Sequence, residues 1–141
     1  MADPFNLARF LGAQDADGAY ERAVLELRAG RKRSHWMWFI FPQAAGLGHS
    51  AMSRRYAIAS REEAVAYVQH PLLGPRLIEC AGIVQRARAP SAEEIFGPLD
   101  ARKLQSSMTL FMRAAPAEPV FAGVLERYFD GAPDPASDRL L

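Results

Sequence analysis

Apolar residues recur every three or four positions through most of this chain, and alternation with a period of two is almost absent. A helix repeats every ~3.6 residues and a strand every two, so this spacing points to helices before any motif is weighed. Glycine and proline supply the punctuation. Asp3 is placed to cap a helix from Pro4, with Phe5, Leu7, Phe10 and Leu11 as its stripe. Tyr20, Val24 and Leu27 mark a helix over 15–29, and Gly30 stands where a left-handed cap is wanted. Ser60 with Glu63, and Ser91 with Glu94, have capping-box spacing. The first of these helices should end near His70, before Pro71. Leu73, Leu77, Ala81 and Val84 share the face of the next. The turn opened by Ser91 should close at Gly97-Pro98, and a further helix from Pro98 carries Leu104, Met108 and Phe111. The last begins at Pro119, carries Phe121, Val124, Leu125 and Tyr128 on one face, and stops at Gly131.

The expected fold is therefore all-α, a compact multi-helix bundle in a single domain over 1–141. Residues 131–141 form either an irregular tail or a short docked helix. Trp36 to Phe41 is the one run suited to a strand, but the chain holds no second run to pair with it. A short buried helix or an extended crossing is the better reading. Half the residues are hydrophobic and 23% are charged, which suits a globular protein and excludes a disordered one. No apolar run approaches the ~18 residues of a membrane span. The N-terminus lacks the pattern of a signal peptide. The lone Cys80 allows no internal disulfide and is expected buried and inert, and a cytoplasmic setting follows.

Charge is unevenly distributed. Seven basic residues and no Asp or Glu lie between Arg28 and Arg61, while the rest of the chain holds all 16 acidic residues. Such a segment reads equally as an anion-binding surface and as a solvated loop balanced from elsewhere. It includes GRKRSHWMWFIFPQAAGLGHSAMSRR, residues 30–55, where aromatic rings, arginines, hydroxyls and a glycine-rich loop are adjacent. Arg33, Arg54 and Arg55 could supply charge, Trp36 a stacking face, and Ser34, Gln43 and Ser53 polar contacts. If Ser53 caps a helix through RRYAIA, its N-terminus adds free N–H groups. Lys103 and Ser106, one turn apart, and Arg102 with Ser106, could complete a pocket or solvate an exposed face.

Catalytic signals are sparse. His35 is the one evident acid/base candidate, with Asp15, Glu21 or Glu26 as possible assistants. The three histidines and one cysteine have no metal-ligand spacing, and no phosphate loop or dinucleotide fingerprint occurs. No metal or cofactor is called for. The expected partner is an anionic small molecule, such as a nucleotide, an ADP-ribose-like compound or a phosphorylated metabolite. The alternative is a non-enzymatic domain docking an acidic protein. Nucleic acid is disfavoured by a net charge of only +1 and the lack of a long basic helix.

FNLARFLGAQ, ERAVLELRAGRKRSHWMWFIFPQAAGLGHSAMSRRYAIAS, HPLLGPRL and KLQSSMTLF resemble the signature blocks of a small bacterial family of unknown function. Its members often carry the label calpastatin, and the block Arg-Ser-His-Trp-Met-Trp-Phe-Ile-Phe-Pro-Gln is the most distinctive. The resemblance spans nearly the whole chain and implies a compact, mainly helical cytosolic domain. It transfers no activity and no catalytic residue. Calpastatin-type inhibitors resemble disordered chains that fold on their target, whereas caps and apolar stripes here provide for an independent core. The inhibitor reading is rejected on that ground.

Overall fold

The computed structural model describes residues 2–140. The fold is all-α, with no strand among the described residues; an isolated parallel bridge joins Ala44 to Ile58. The helices are α1 (Ala8–Asp15), α2 (Ala19–Arg28), α3 (Met37–Ile40), α4 (Ala51–Arg55), α5 (Arg61–Gln69), α6 (Leu73–Arg86), α7 (Ala92–Ala114), α8 (Pro119–Phe129) and α9 (Pro135–Leu140). The centre is a four-helix arrangement in which α5 and α8 each pack across both α6 and α7. Around it, α2 docks on α6, α9 on α7, and α1 on α2 and α3. No helix among the described residues is long and apolar enough to cross a membrane.

The local signals explain most boundaries. Ser60 and Ser91 accept hydrogen bonds from Glu63 N and Glu94 N, capping α5 and α7. Gly97 has φ +79°, a region open to glycine, and it breaks α7 just before Pro98. Pro119 opens α8, and Asp130 and Gly131, both at positive φ, close it. Residues 135–140 form the short terminal helix that was one of two expectations for the tail; Leu141 lies outside the described residues.

Two expectations need correction, and one residue does more than expected. Asp3 does cap α1, but its carboxylate reaches Leu7 N (2.8 Å) and Ala8 N (3.0 Å), so the helix starts at Ala8 rather than Pro4. The helix expected over 15–29 instead starts at Ala19, after a tight turn at Ala16–Gly18 in which Asp17 and Gly18 take positive φ. His70 does more than end α5: its Nδ1 accepts from Leu72 N and Leu73 N and so caps α6.

One hydrophobic core collects these faces. Phe10, Tyr67, Phe111 and Phe121 form a chain of rings with successive centroids 5.1, 5.3 and 5.9 Å apart. A second group joins Trp36, Phe41 and Phe96. The aromatic segment thus enters the core as a single helical turn, with Met37, Phe39, Ile40 and Phe41 all buried.

Candidate functional site

The end of α2 organises the residues that attract attention in the sequence. Gly30 adopts φ +75°, and the chain folds back so that Gly30 N donates to Leu27 O and Arg31 N to Glu26 O, each at 3.0 Å. Lys32 is then pinned to the start of α7 through its N–H to Ile95 O (2.7 Å) and its ammonium to Asp100 (2.9 Å). From this point residues 33–36 wrap around one carboxylate. Glu26 Oε1 accepts from Arg33 N (2.7 Å), Ser34 N (2.8 Å) and Trp36 Nε1 (2.9 Å), and Oε2 accepts from the Ser34 hydroxyl (2.6 Å). Partial burial pushes the Glu26 carboxyl up, but these hydrogen bonds outweigh it and bring it down to about 2.

This network reassigns several candidates. Trp36 is 1% exposed and its indole N–H is spent on Glu26, so no face remains for a ligand to stack upon. The Ser34 hydroxyl is likewise committed. Both Glu26 oxygens accept from residues 33–36, and none of these hydrogen bonds comes from the His35 ring. His35 is exposed and has no hydrogen-bond partner among the described residues to orient it. Arg33 is exposed on the same loop and contributes only its backbone N–H to the network.

The next stretch also differs from expectation. Ser50, not Ser53, caps α4, whose helix ends at Arg55 instead of running through RRYAIA. The Ser53 N–H is taken by Ser50 Oγ, so no free N–H is presented there by Ser53. Residues beyond Tyr56 are extended because Ile58 exchanges backbone hydrogen bonds with Gln43 and Ala45, both at 2.8 Å. Arg54 and Arg55 point outward and are exposed, with the Arg55 guanidinium 5.5 Å from the Tyr56 ring centre.

Five of the sequence candidates, Gln43, Ser53, Arg102, Lys103 and Ser106, do share a concavity. Gln43 and Ser53 face Lys103 and Ser106 across a cleft of about 370 Å³, which Arg102, Gln105 and Asp134 also line. Lys103 lies 3.2 Å from Asp100 and over the Trp38 ring, so part of its charge is matched. The Arg102 side chain is exposed and has no partner among the described residues. Asp134 accepts from the Ser106 hydroxyl (2.9 Å), and from Ser137 N and Oγ, capping α9. Arg33, Ser34, His35, Trp36, Arg54 and Arg55 do not line this cleft.

Residues 4–141 match the family described as "Protein of unknown function (DUF1810)". The chain belongs to this family. Its fold is similar to that in the crystal structure of the conserved hypothetical protein Rv1873 from Mycobacterium tuberculosis. The two are 55% identical with a TM-score of 0.95, over 99% of this chain and 98% of that one. Neither match carries the calpastatin label. A search of curated proteins found no match.

Other chemistry in this DUF1810 chain is spent internally. Among the described residues, no three His, Cys, Asp or Glu side chains converge in a way that could hold a metal ion. Burial, with the nearby Glu79 carboxylate, pushes the Cys80 thiol up to about 12, which makes it a poor nucleophile. Sequence reasoning missed Asp134, although Asp-Pro with Ser137 three residues on is itself a helix-start signal. It also passed over Arg9. All five N–H donors of Arg9 are used, on the carbonyls of Phe5, Asn6, Arg55 and Ala57 and on the buried Glu63 carboxylate.

Proposed function

We propose that this protein binds a small anionic molecule, of the phosphorylated-metabolite class, in the cleft between α7 and the 43–53 loop. The observation that supports the reading is the convergence of Gln43, Ser53, Lys103 and Ser106 beside Arg102, whose side chain has no partner among the described residues, in one cavity of about 370 Å³. Arg102 offers a planar fork for a phosphate or carboxylate, and Lys103 adds a second cation at the wall. Gln43 and Ser53 can donate to the same group or its neighbours, while Asp134 can accept from a hydroxyl or amine on the ligand. With Trp36 enclosed in the core, a stacked nucleobase loses its support, which favours a phosphorylated metabolite over a nucleotide or ADP-ribose-like compound. The proposal is one of binding, and His35 has no part in it.

A second reading, docking of an acidic protein, is favoured by the outward exposure of Arg54 and Arg55. A thermal-shift titration with sugar phosphates, nucleotides, ADP-ribose and inorganic phosphate separates the two. A ligand at about 100 times its dissociation constant should stabilise the protein by roughly 2.7 kcal/mol. The shift given by the sugar phosphates should vanish in Arg102→Ala and persist in Arg54→Ala. No shift with the sugar phosphates, or one unaffected by Arg102→Ala, overturns the cleft reading. Capture of an acidic peptide that is lost in Arg54→Glu/Arg55→Glu would replace it with the second.

A further inference from the structure

A second concavity lies where the C-terminal ends of α2 and α6 meet. It has a volume of about 550 Å³ and is lined by Leu27, Arg28, Ile83, Arg86, Arg88 and small residues of the two chain turns. Its lining residues include three arginines and no acidic residue. Arginines at helix ends ordinarily serve the last free carbonyls. Here other donors already serve several carbonyls at and just beyond the two helix ends. Arg127 Nη2 donates to Ala87 O (3.1 Å) and Ala89 O (2.9 Å), and the Tyr128 hydroxyl donates to Val84 O (2.7 Å). At the end of α2, Gly30 N and Arg31 N take Leu27 O and Glu26 O.

Arg28, Arg86 and Arg88 are therefore left over: none has an ion pair or side-chain hydrogen bond among the described residues. All three are exposed, and with no acidic residue lining the concavity they leave it with a positive potential that draws anions. A second observation concerns placement. The Arg86 guanidinium lies back along its own helix over Gly82, where even a Cβ would fall 2.9 Å from Nη1. Gly82 thus leaves the space in which that guanidinium rests.

We infer that this cleft is a binding site for a compact polyphosphate group, free or carried by a small molecule, held by Arg28, Arg86 and Arg88. Guanidinium forks match phosphate oxygens two at a time, and several are needed to balance a multiply charged group. The floor is aliphatic, Leu27 and Ile83, and offers no aromatic ring to a nucleobase. The adjoining concavity sets the size limit: beyond Ala29, Gly30 and Ala89 it carries Glu93 and Glu94, with Arg31 alone opposing them. A long nucleic-acid strand leaving the arginines in that direction would meet carboxylates, while a compact polyphosphate would not. The site is separate from the α7 cleft and stands or falls independently of it.

Calorimetric titration with pyrophosphate and tripolyphosphate, against citrate as a carboxylate of comparable charge and a single-stranded oligonucleotide, tests this. Tripolyphosphate should bind, and Arg86→Ala and Arg88→Ala should each raise its Kd about tenfold or more. Gly82→Ala should also weaken binding by displacing Arg86 while the circular dichroism spectrum is unchanged. Arg102→Ala, in the other cleft, should leave the affinity as it is. A free polyphosphate source and a carried one are distinguished by whether pyrophosphate or a sugar diphosphate binds more tightly. No binding of either polyphosphate, equal weakening by Arg102→Ala, or tighter binding of citrate or the oligonucleotide overturns the inference.

Discussion

Glu26 and Arg28 stand two residues apart at the end of α2 and lead opposite lives. Glu26 collects Arg33, Ser34 and Trp36 into a network in which both carboxylate oxygens, the Ser34 hydroxyl and the Trp36 indole N–H have partners. Arg28 opens onto a cleft it shares with Arg86 and Arg88, where no side-chain nitrogen has one among the described residues. The first region is the more eventful in sequence, with its aromatic rings, hydroxyls and histidine; the second is Arg-Ala-Gly on one side and Arg-Ala-Arg-Ala on the other. Binding capacity follows unspent hydrogen-bond and charge valence, not chemical variety. A polar group already satisfied inside the protein must lose that partner before it can take a ligand, and the exchange gains little. Arg9 makes the same point: its five N–H groups all have protein acceptors, so it anchors residues 55–63 and is closed to anything else.

The contrast can be broken most severely at Glu26. Replacing it with Ala strands the indole N–H and two backbone N–H groups, and should cost about 3 kcal/mol in chemical denaturation. Glu26→Gln keeps an oxygen for the three donors on Oε1 and an amide for the Ser34 hydroxyl, so its cost should be nearer ~1 kcal/mol. A loss in Glu26→Gln as large as in Glu26→Ala would mean that charge, and not the hydrogen-bond set, holds the loop. The pH dependence carries a sign. Because the folded Glu26 carboxyl sits at about 2 against an ordinary 4.5, its contribution is complete above pH 4.5 and is lost as the pH falls toward 2. Denaturation curves of Glu26→Gln should lack that part of the acid slope.

Trp36→Phe is the next in size. It removes the indole donor and part of a ring packed 6.4 Å from both Phe41 and Phe96, at a cost of about 2 kcal/mol. Ligand binding in either cleft should be unchanged, and a specific loss of affinity would return Trp36 to the site. The smallest effect sharpens the other side of the comparison. Arg88→Ala removes one of three neighbouring cations, so the melting temperature should hold or rise slightly at low salt, with the difference vanishing at high salt. A clear fall in melting temperature would show that Arg88 is a structural residue after all.

Much of the architecture was legible because helices are specified locally. The stripes at Leu73, Leu77, Ala81 and Val84, the serine caps at 60 and 91, the break at Gly97 and the proline start at 119 act within a few residues of one another, and each stands where it was expected. Local reasoning failed where two capping residues competed: Ser50 rather than Ser53 heads α4, and pairing of Ile58 with Gln43 and Ala45 cut that helix short. The site was legible only in part. Gln43, Ser53, Lys103 and Ser106 were candidates by residue type and do meet in one cleft, whereas Arg33, Ser34, His35, Trp36, Arg54 and Arg55 lie elsewhere.

What the sequence alone determined was the helical period, most helix ends and the amount of apolar surface to be buried, since these depend on neighbours along the chain. Only the tertiary structure decided which polar groups are spent and which remain. That outcome depends on partners brought from afar: Glu63 to Arg9 across 54 positions, and Arg28 to Arg86 across the packing of α2 on α6. A side chain's residue type states what it can bond, and the packed fold states whether it already has.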